Sequence, residues 1–456
     1  MNHLRQWIFS LVWSVFILAG PNLSAASDTL NWNQRKDRVD ADVSSWDTFQ
    51  LLEHVAAATG WQVYLDPNVI QPVSAKFKDL PSGEALHHLL GNVNFAVMPQ
   101  SNGISRLYVF RTTRAQATRQ VRAPRKPAQP IPNQLVVTLK PNSKTKIEDL
   151  AKSLNAKIIG RMDSQNAYLL QFADEAATLA AREQLAANPD VQSVDVNYPV
   201  DRPPQLQAMQ SGTPQLDLKP KANDGNCQLV VGLIDTPLQP LSSNLSAFMQ
   251  PAIHVAGDVQ LDPNQLTHGT AMAETILDAL NAKTSGGTSV KILPVDVYGN
   301  NEMTSTFDVA NGIVQAVNNG ANILNLSLGS TGDSTFLHNT IKQVAKQGIP
   351  MYAAAGNEPV TTPTYPAAYP EVVSVTASDN TGKIAPYANR GSFIDMMVNG
   401  DNMVGFNGQS YLVEGTSTST AFASGMAAGL ADSAHACADQ AQGLLQKSLK
   451  PANILK

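Results

Sequence analysis

The chain has 456 residues, of which 43% are hydrophobic and 15% are charged, and its net charge is −5. This length accommodates one to three domains, and the composition is that of a folded protein and not of a disordered one. A mildly acidic chain lacks the excess positive charge that binds polyanions, so we expect no nucleic acid and no anionic membrane as a partner.

The first 26 residues predict a secretory signal peptide. Arg5 gives a short basic start, the run from Trp7 to Ala19 is almost wholly apolar, and Ser24 to Ala26 supplies small residues for cleavage. A membrane anchor is the alternative, but the run is shorter than the ~20 apolar residues that a span needs. We therefore expect an exported protein with no membrane span in the mature chain.

Residues 45 to 112 predict a small α/β module. One helix follows Asp47 and ends at Gly60, and a second begins at Ser82 and runs through Leu90. Short strands are predicted at residues 61–65, 73–77, 95–98 and 107–110.

The stretches TGWQVYLDPNVI and VSAKFKDLPSGEALHHLLGN of this module resemble the short N-terminal module of secretins and TonB-dependent receptors. That resemblance implies a Gram-negative cell envelope, and hence a periplasmic or secreted protein. It also implies a protein-docking role, with a cell-envelope protein as the partner of residues 45–112. A generic α/β spacer is the alternative.

Two stretches are predicted to be linkers. Residues 113–132 contain several basic side chains and prolines but no acidic side chain, and such a segment cannot bury enough apolar surface to fold. Residues 201–224 are rich in Pro, Gln and Lys and have little apolar periodicity. The second linker is a plausible place for self-cleavage.

Residues 133 to 200 predict the order strand, helix, strand, strand, helix, strand, which is the ferredoxin-like pattern. The strands are predicted at residues 135–139, 157–160, 168–172 and 191–196, and the helices at residues 147–154 and 176–187. With NAYLLQF and NPDVQSVDVNY, this stretch resembles the propeptide of subtilisin-like proteases. In that family the module assists folding and inhibits the active site through its C-terminal tail, which by position would be Asp195 to Tyr198.

Residues 225 to 456 predict alternating strands and helices. Strands are predicted at residues 229–234, 291–297, 322–326, 349–354 and 372–377, with helices at residues 268–280, 306–318 and 336–347. Continuous apolar strands with helices between them indicate a parallel sheet that is covered on both faces. The predicted fold is therefore α/β, a doubly wound parallel sheet preceded by two small α+β domains, the second ferredoxin-like.

Four polar residues are predicted to meet at the carboxyl edge of this sheet, where sites gather in open parallel sheets. Asp235 directly follows the strand VVGLI, His268 begins a helix, and Asn357 ends the block AAAGN after a strand. Ser417 follows Gly415 at the start of a helix of small residues. The Asp235 carboxylate can orient the His268 imidazole, which can take a proton from the Ser417 hydroxyl. The Asn357 amide and the Ser417 N–H can donate to an oxyanion.

The blocks IDT, HGTAMA, SLG, AAAGN and GTSTST resemble those of the subtilisin-like serine peptidases, over about residues 227–438. The resemblance implies a serine endopeptidase that forms an acyl-enzyme with Asp235, His268, Ser417 and Asn357, self-processed from a precursor, with polypeptides as substrates. It implies no cofactor. It also implies that Ser327, Leu328 and Gly329 form one wall of the substrate cleft and that Ala354, Ala355 and Gly356 form the facing wall.

Some positions depart from that family's pattern. Pro237 stands where glycine is usual, Thr418 and Ser419 replace Met-Ala after the nucleophile, and Ala421 replaces a proline. The loop NAKTSGGTS lacks the usual calcium-loop residues, so we expect no calcium there and no other metal. These changes leave open a second hypothesis, a catalytically silent scaffold that binds cell-envelope proteins.

The chain has two cysteines, Cys227 and Cys437, which lie before the first strand and after the last helix of the triad region. In an exported protein they permit one disulfide bond, and two free buried thiols are the alternative.

Overall fold

The computed structural model describes residues 28–100, 104–204, 206, 208–211, 216–223, 227–241, 245–285 and 287–450. The predicted signal peptide, residues 1–26, lies outside these ranges. Within them, no helix has both the length and the apolar character that a membrane span requires.

The described residues form two compact units. One contains residues 28–46 and 72–92, and the other contains residues 47–71 and the described residues from Val93 onward. The elements up to Val121 are β1 (Thr29–Asn33), β2 (Arg38–Asp47), α1 (Thr48–Thr59), β3 (Gln62–Leu65), β4 (Pro72–Leu80), α2 (Ser82–Leu90), β5 (Asn94–Met98), β6 (Arg106–Phe110) and β7 (Arg119–Val121). The first unit contains a sheet in the order β1-β2-β4, and the second contains a sheet in the order β5-β6-β3-β7.

The predicted elements of residues 45–112 are all present, but their strands belong to two sheets. The Asp47 side chain caps α1 by accepting from the Gln50 N–H, and Gly60 ends the helix at φ +65°. Strand β7 lies inside the predicted linker 113–132 and pairs with β3, with Val121 2% exposed. The linker prediction is therefore wrong for this strand, because pairing with a distant partner left no periodic signal in so short a segment.

The ferredoxin-like prediction is confirmed. The elements are β8 (Gln134–Leu139), α3 (Ile147–Ser153), β9 (Lys157–Met162), β10 (Ala167–Gln171), α4 (Glu175–Ala187) and β11 (Val191–Val196). The strands form an antiparallel sheet in the order β11-β8-β10-β9. Its core consists of alternate strand residues that face the two helices, such as Leu135, Val137 and Leu170.

The remaining elements run from the end of this domain to residue 448. They are β12 (Pro199–Asp201), β13 (Ala208–Ser211), β14 (Lys219–Pro220), β15 (Val230–Asp235), β16 (Ile253–His254), α5 (His268–Lys283), β17 (Gly287–Thr288), β18 (Lys291–Asp296), β19 (Met303–Ser305), α6 (Thr306–Asn318), β20 (Ile323–Leu326), α7 (Thr335–Ala345), β21 (Met351–Ala354), β22 (Val373–Ser378), β23 (Met396–Asn399), β24 (Asp401–Phe406), β25 (Gln409–Glu414), α8 (Thr416–Ser433) and α9 (Ala438–Ser448).

A seven-stranded parallel sheet organises this region, in the order β16-β18-β15-β20-β21-β22-β23. In β15, Val230 and Ile234 belong to the core that contains α6 and α7. Val231 and Leu233 belong to the core that contains α5, α8 and α9. Helices therefore cover both faces of the sheet, as the continuous apolar strands predicted.

The segment that was predicted to be a linker, residues 201–224, is partly paired with this region. β12 pairs with β19, β13 with β25, and β14 with β17. These short strands pair with partners far along the chain, so the composition of the segment itself did not predict them. Cys227 and Cys437 form a disulfide bond with their Cα atoms 5.2 Å apart.

Candidate active site

Asp235 is the last residue of β15, at the carboxyl edge of the parallel sheet. The residue is 1% exposed, and its carboxylate accepts a hydrogen bond of 2.6 Å from the backbone N–H of Thr236. Its two oxygens lie 2.8 and 3.0 Å from Nδ1 of His268. A carboxylate in this position favours the imidazole tautomer that carries its proton on Nδ1, which leaves Nε2 free to accept one.

His268 is the first residue of α5, and the side chain of Thr267 caps that helix. The following residue has to be glycine, because a Cβ on Gly269 would lie 2.2 Å from the carbonyl oxygen of Thr236. The Gly269 N–H also donates to the Thr236 hydroxyl at 2.8 Å. This close approach between the end of β15 and the start of α5 brings His268 onto Asp235.

Ser417 is the second residue of α8 and lines the same cavity as His268. Its hydroxyl donates to the carbonyl oxygen of Ser327 at 3.3 Å, and its own carbonyl oxygen accepts from the Ser327 hydroxyl at 3.1 Å. The structure therefore brings Ser417 and His268 to one cavity, while the described hydrogen bond of the Ser417 hydroxyl goes to Ser327.

Asn357 lies just after β21 and lines this cavity too. Its side-chain oxygen accepts hydrogen bonds from the Thr416 N–H at 2.9 Å and from the Thr416 hydroxyl at 3.1 Å. The Thr416 hydroxyl in turn accepts from the Gly356 N–H at 3.0 Å. These contacts fix the orientation of the amide, so its NH₂ group is the part left to donate to another molecule.

Five of the six residues predicted for the cleft walls line the cavity, namely Ser327, Leu328, Gly329, Ala354 and Gly356. Ala355 does not line it. That residue is fully buried, its N–H donates to the Val375 carbonyl, and its own carbonyl accepts from the Asn389 side chain at 2.8 Å. Successive residues of an extended segment point to opposite sides, which turns Ala355 away from its two neighbours.

The segment that follows the ferredoxin-like domain enters the same cavity. Its cavity-lining residues are Asp201, Arg202, Pro203, Pro204 and Leu206. We call residues 199–204 and 206 the tail. The sequence placed the inhibitory segment earlier, at Asp195 to Tyr198. That position is wrong because Asp195 still belongs to the sheet of the ferredoxin-like domain, where it pairs with Val136. Tyr198 lies against Gly332, where an added Cβ would be 2.4 Å from the Tyr198 side chain.

A second segment, which precedes the ferredoxin-like domain in the chain, also contacts the cleft. Arg125, inside the predicted linker 113–132, donates from its backbone N–H to the Thr362 hydroxyl at 3.2 Å. Its guanidinium forms ion pairs with Asp201 at 2.9 Å and Glu358 at 3.4 Å. The proline and basic content of this stretch predicted a linker, but composition alone could not predict that the linker would contact the cleft.

Tyr298 is a further residue of this region that the sequence did not single out. It is fully buried, and its hydroxyl donates to the Asp201 carbonyl of the tail at 3.0 Å. Burial, together with the nearby Asp235 carboxylate, raises the pKa of Tyr298 well above its usual range, so the phenol stays a donor. A lone tyrosine after a buried strand carries no sequence signal for such a role.

Metal coordination has no visible basis in the part of the chain that the structure describes. No three His, Cys, Asp or Glu side chains there are grouped so that they could hold an ion.

Two family models match the chain. The model of the subtilase family matches residues 227–451. The model of the fervidolysin N-terminal prodomain matches residues 116–197, which includes β7 and the ferredoxin-like domain.

Curated proteins with similar sequences include a serine proteinase and subtilisins. The chain is 31% identical over 210 residues to the thermophilic serine proteinase of Bacillus sp. (strain AK1), which covers 46% of this chain and 48% of that protein. It is 30% identical over 188 residues to subtilisin Savinase of Lederbergia lenta, which covers 39% of this chain and 70% of that protein. The chain thus spans about half the length of the Bacillus proteinase and 50% of the M-protease of Shouchella clausii.

Solved structures with low sequence identity share the fold. The epidermin leader peptide processing serine protease of Staphylococcus aureus aligns with a TM-score of 0.53 and 16% identity, over 71% of this chain and 96% of that one. Fervidolysin of Fervidobacterium pennivorans, a keratinolytic enzyme related to subtilisin, aligns with a TM-score of 0.52 and 17% identity, over 66% and 55%.

Proposed function

Because this chain belongs to the subtilase family, we propose that it is an exported serine endopeptidase that is produced as a self-processed precursor. One observation carries the proposal. His268, held by Asp235 through two short contacts, lines one cavity with Ser417 and Asn357. A hydroxyl, an imidazole, a buried carboxylate and an amide donor are the groups that acyl transfer requires.

In the proposed reaction, Ser417 is the nucleophile and His268 is the base. The Ser417 hydroxyl turns from the Ser327 carbonyl toward Nε2 of His268, since catalytic hydrogen bonds often form only when substrate is bound. Oγ then attacks the peptide carbonyl carbon while Nε2 takes its proton. The same proton passes to the leaving amine, and water releases the acyl group by the same route. Asp235 keeps the imidazole oriented and stabilises its charged form.

The negative oxygen of the tetrahedral intermediate needs donors that are already in place. The Asn357 amide is suited to this role because Thr416 holds its oxygen and leaves its NH₂ group free. The backbone N–H of Ser417, in the first turn of α8, is the second donor that we assign, since the first N–H groups of a helix have no partner within it.

Self-processing is supported by the course of the tail. β12 pairs antiparallel with β19, which is how an extended peptide adds to the edge of a binding cleft. The tail then passes the cavity that contains His268 and Ser417. We propose that the tail blocks the cleft in the precursor, and that self-cleavage between Pro199 and Gln228 allows it to leave the cleft.

Export and docking are the outer parts of the proposal. The apolar run of residues 7–19 supports a signal peptide, and residues 45–112 resemble the short module of secretins and TonB-dependent receptors. We propose a periplasmic or secreted protein of a Gram-negative-type cell, with a cell-envelope protein bound by residues 45–112.

A fluorophosphonate probe tests the central assignment on the purified full chain. We expect labelling of the protein, and its loss in Ser417→Ala. Ser433→Ala is the matched control, because Ser433 lies about 24 Å further along the same helix, where its hydroxyl donates to the Lys283 carbonyl. Labelling that persists in Ser417→Ala would overturn the role of Ser417.

Intact-mass measurement separates the enzyme from the alternative, a silent scaffold. The active protein should lose its N-terminal part through a cut between residues 199 and 228, while Ser417→Ala should stay whole. The hydrogen bond from Ser417 to Ser327 is the observation that favours the scaffold. An unprocessed and unlabelled wild-type chain would support it.

A further inference from the structure

The guanidinium of Arg202 has a binding place of its own on the sheet domain. Its Nη1 donates to the carbonyl oxygens of Gly299 at 3.0 Å and Asn301 at 2.7 Å. Its central carbon lies 5.8 Å from the centre of the Tyr298 ring, within cation–π range. These three groups come from the loop between β18 and β19, so they remain with the sheet domain when the tail is removed.

The backbone of the tail at this point is held as an extended peptide. The Arg202 N–H donates to the Glu302 carbonyl at 3.1 Å, which continues the pairing of β12 with β19. One residue earlier, the Tyr298 hydroxyl donates to the Asp201 carbonyl. Hydrogen bonds to the main chain do not depend on the side chains, so a bound substrate strand can form them too. Only the contacts with the Arg202 side chain can select a particular residue type at this position.

The loop itself is rigidly built. The Asp296 carboxylate accepts from the N–H groups of Tyr298 at 2.9 Å and Gly299 at 2.8 Å. Gly299 has φ +54°, a left-handed conformation that favours glycine. The two carbonyl oxygens are therefore fixed before a guanidinium arrives, which lowers the entropy cost of binding it.

Charge favours a cationic side chain at this place. Arg202 lies between two neighbouring cavities. The charged side chains that line these cavities and belong to the sheet domain are acidic, apart from His268, and are Asp262, Glu358 and Glu414. Removal of the tail and of Arg125 takes two arginines out of these cavities, including the partner of Glu358, and leaves the acidic set behind, so the open cleft attracts cations.

We propose that the Tyr298 ring and the carbonyls of Gly299 and Asn301 form a substrate subsite for arginine, which Arg202 occupies in the precursor. The inference rests on the proposed endopeptidase function and adds a substrate class to it: polypeptides with an arginine at the residue that takes the place of Arg202. Arginine is preferred over lysine because its planar guanidinium stacks on a ring while its N–H groups meet carbonyls.

Synthetic peptides test the subsite on the processed enzyme. Peptides with the sequence of residues 198–206, YPVDRPPQL, carry Arg, Lys or Gln at the fifth position and compete with fluorophosphonate labelling of Ser417. We expect about tenfold weaker protection on replacing Arg by Gln, with Lys between them. Equal protection by the Arg and Gln peptides would overturn the subsite. Absence of labelling without any peptide would instead count against the endopeptidase itself.

Variants of Tyr298 connect the preference to its structural cause. Tyr298→Phe keeps the ring and loses the hydroxyl, so it should weaken all three peptides alike and keep the order Arg, Lys, Gln. Tyr298→Leu removes the ring and should shrink the difference between Arg and Gln several-fold. Because Tyr298 is fully buried, thermal unfolding checks each variant first. If Tyr298→Leu does not fold, Tyr298→Phe still tests the assignment. This variant keeps the ring, so a loss of the preference for Arg over Gln in it would contradict the role of the ring.

Discussion

The imidazole of His268 and the carboxylate of Asp235 are joined through Nδ1, at 2.8 and 3.0 Å from the two carboxylate oxygens. Neither residue is more than 8% exposed, so water competes little for this contact. A carboxylate can only accept a hydrogen bond from the Nδ1–H group, whereas an amide in its place could also donate one from its NH₂ group to Nδ1. The pair therefore determines which nitrogen of His268 is free to act as a base.

Asp235→Asn is expected to reduce the rate of fluorophosphonate labelling and of peptide hydrolysis by about 1,000- to 10,000-fold. The asparagine has nearly the same shape, so the fold should be kept, but its NH₂ group allows the wrong imidazole tautomer. Asp439→Asn, the same change in the first turn of α9, is the control and should leave the rate unchanged. A loss of less than tenfold in Asp235→Asn would contradict the orienting role.

Asn357→Asp separates the two functions of the Asn357 side chain. The carboxylate still accepts from Thr416, but it has no NH₂ group to donate to a negative oxygen. We expect kcat to fall about 100- to 1,000-fold with little change in KM, the range known for loss of one such donor from subtilisin. Steady-state kinetics on a peptide substrate gives the measurement. A change confined to KM would show that Asn357 binds the ground state and not the oxyanion.

The sequence predicted the positions of Asp235, His268 and Asn357 because each stands where a strand ends or a helix begins. The ends of strands and the starts of helices are determined by neighbouring residues, such as capping side chains and apolar runs, which the sequence shows directly. Ala355 was misassigned because the direction of one side chain depends on the pairing of its backbone with Val375, which the sequence does not show. The contacts of Arg202 were hidden for the same reason, since its partners are carbonyls of a loop 97 and 99 residues away.

Thr418 follows Ser417 and is fully buried, and its hydroxyl has no hydrogen-bond partner among the described residues. A buried hydroxyl without a partner costs about 1 to 3 kcal/mol. Thr418→Val removes the hydroxyl and keeps the shape, so the free energy of unfolding should rise by about 1 kcal/mol. Urea unfolding in a Ser417→Ala background measures it without interference from self-cleavage.

Thr420→Val is the matched control for that change. Thr420 lies in the same helix and is equally buried, but its hydroxyl donates to the Thr416 carbonyl at 2.7 Å. The same substitution should lower the free energy of unfolding by about 1 kcal/mol. If both variants lose stability equally, Thr418 has a partner that its surroundings in the fold do not reveal, such as a buried water.

Glu53 of α1 gives the protein a stability that depends on pH. The residue is fully buried, and its carboxylate accepts from the Thr361 N–H at 2.8 Å and from the Thr361 hydroxyl. Burial is the largest influence and raises its pKa from 4.5 to about 7, with Asp47 adding to the rise and the Thr361 hydrogen bonds and Arg390 opposing it. Between pH 4.5 and 7 the folded chain binds more protons here than the unfolded chain. The free energy of unfolding must therefore fall as the pH rises through this window.

Glu53→Gln keeps an acceptor for Thr361 and cannot ionise, so it should remove this part of the pH dependence. Glu53 alone accounts for a loss of stability of at most about 3 kcal/mol between pH 5 and 8. Glu274 of α5, which accepts from the Gly405 N–H, is a second carboxyl whose pKa burial raises to about 7. Each single Gln variant should flatten the curve in part, and the double variant should flatten it further. Urea unfolding at four pH values in the Ser417→Ala background measures this. A slope that Glu53→Gln leaves unchanged would mean that Glu53 is already ionised in the folded protein at pH 5.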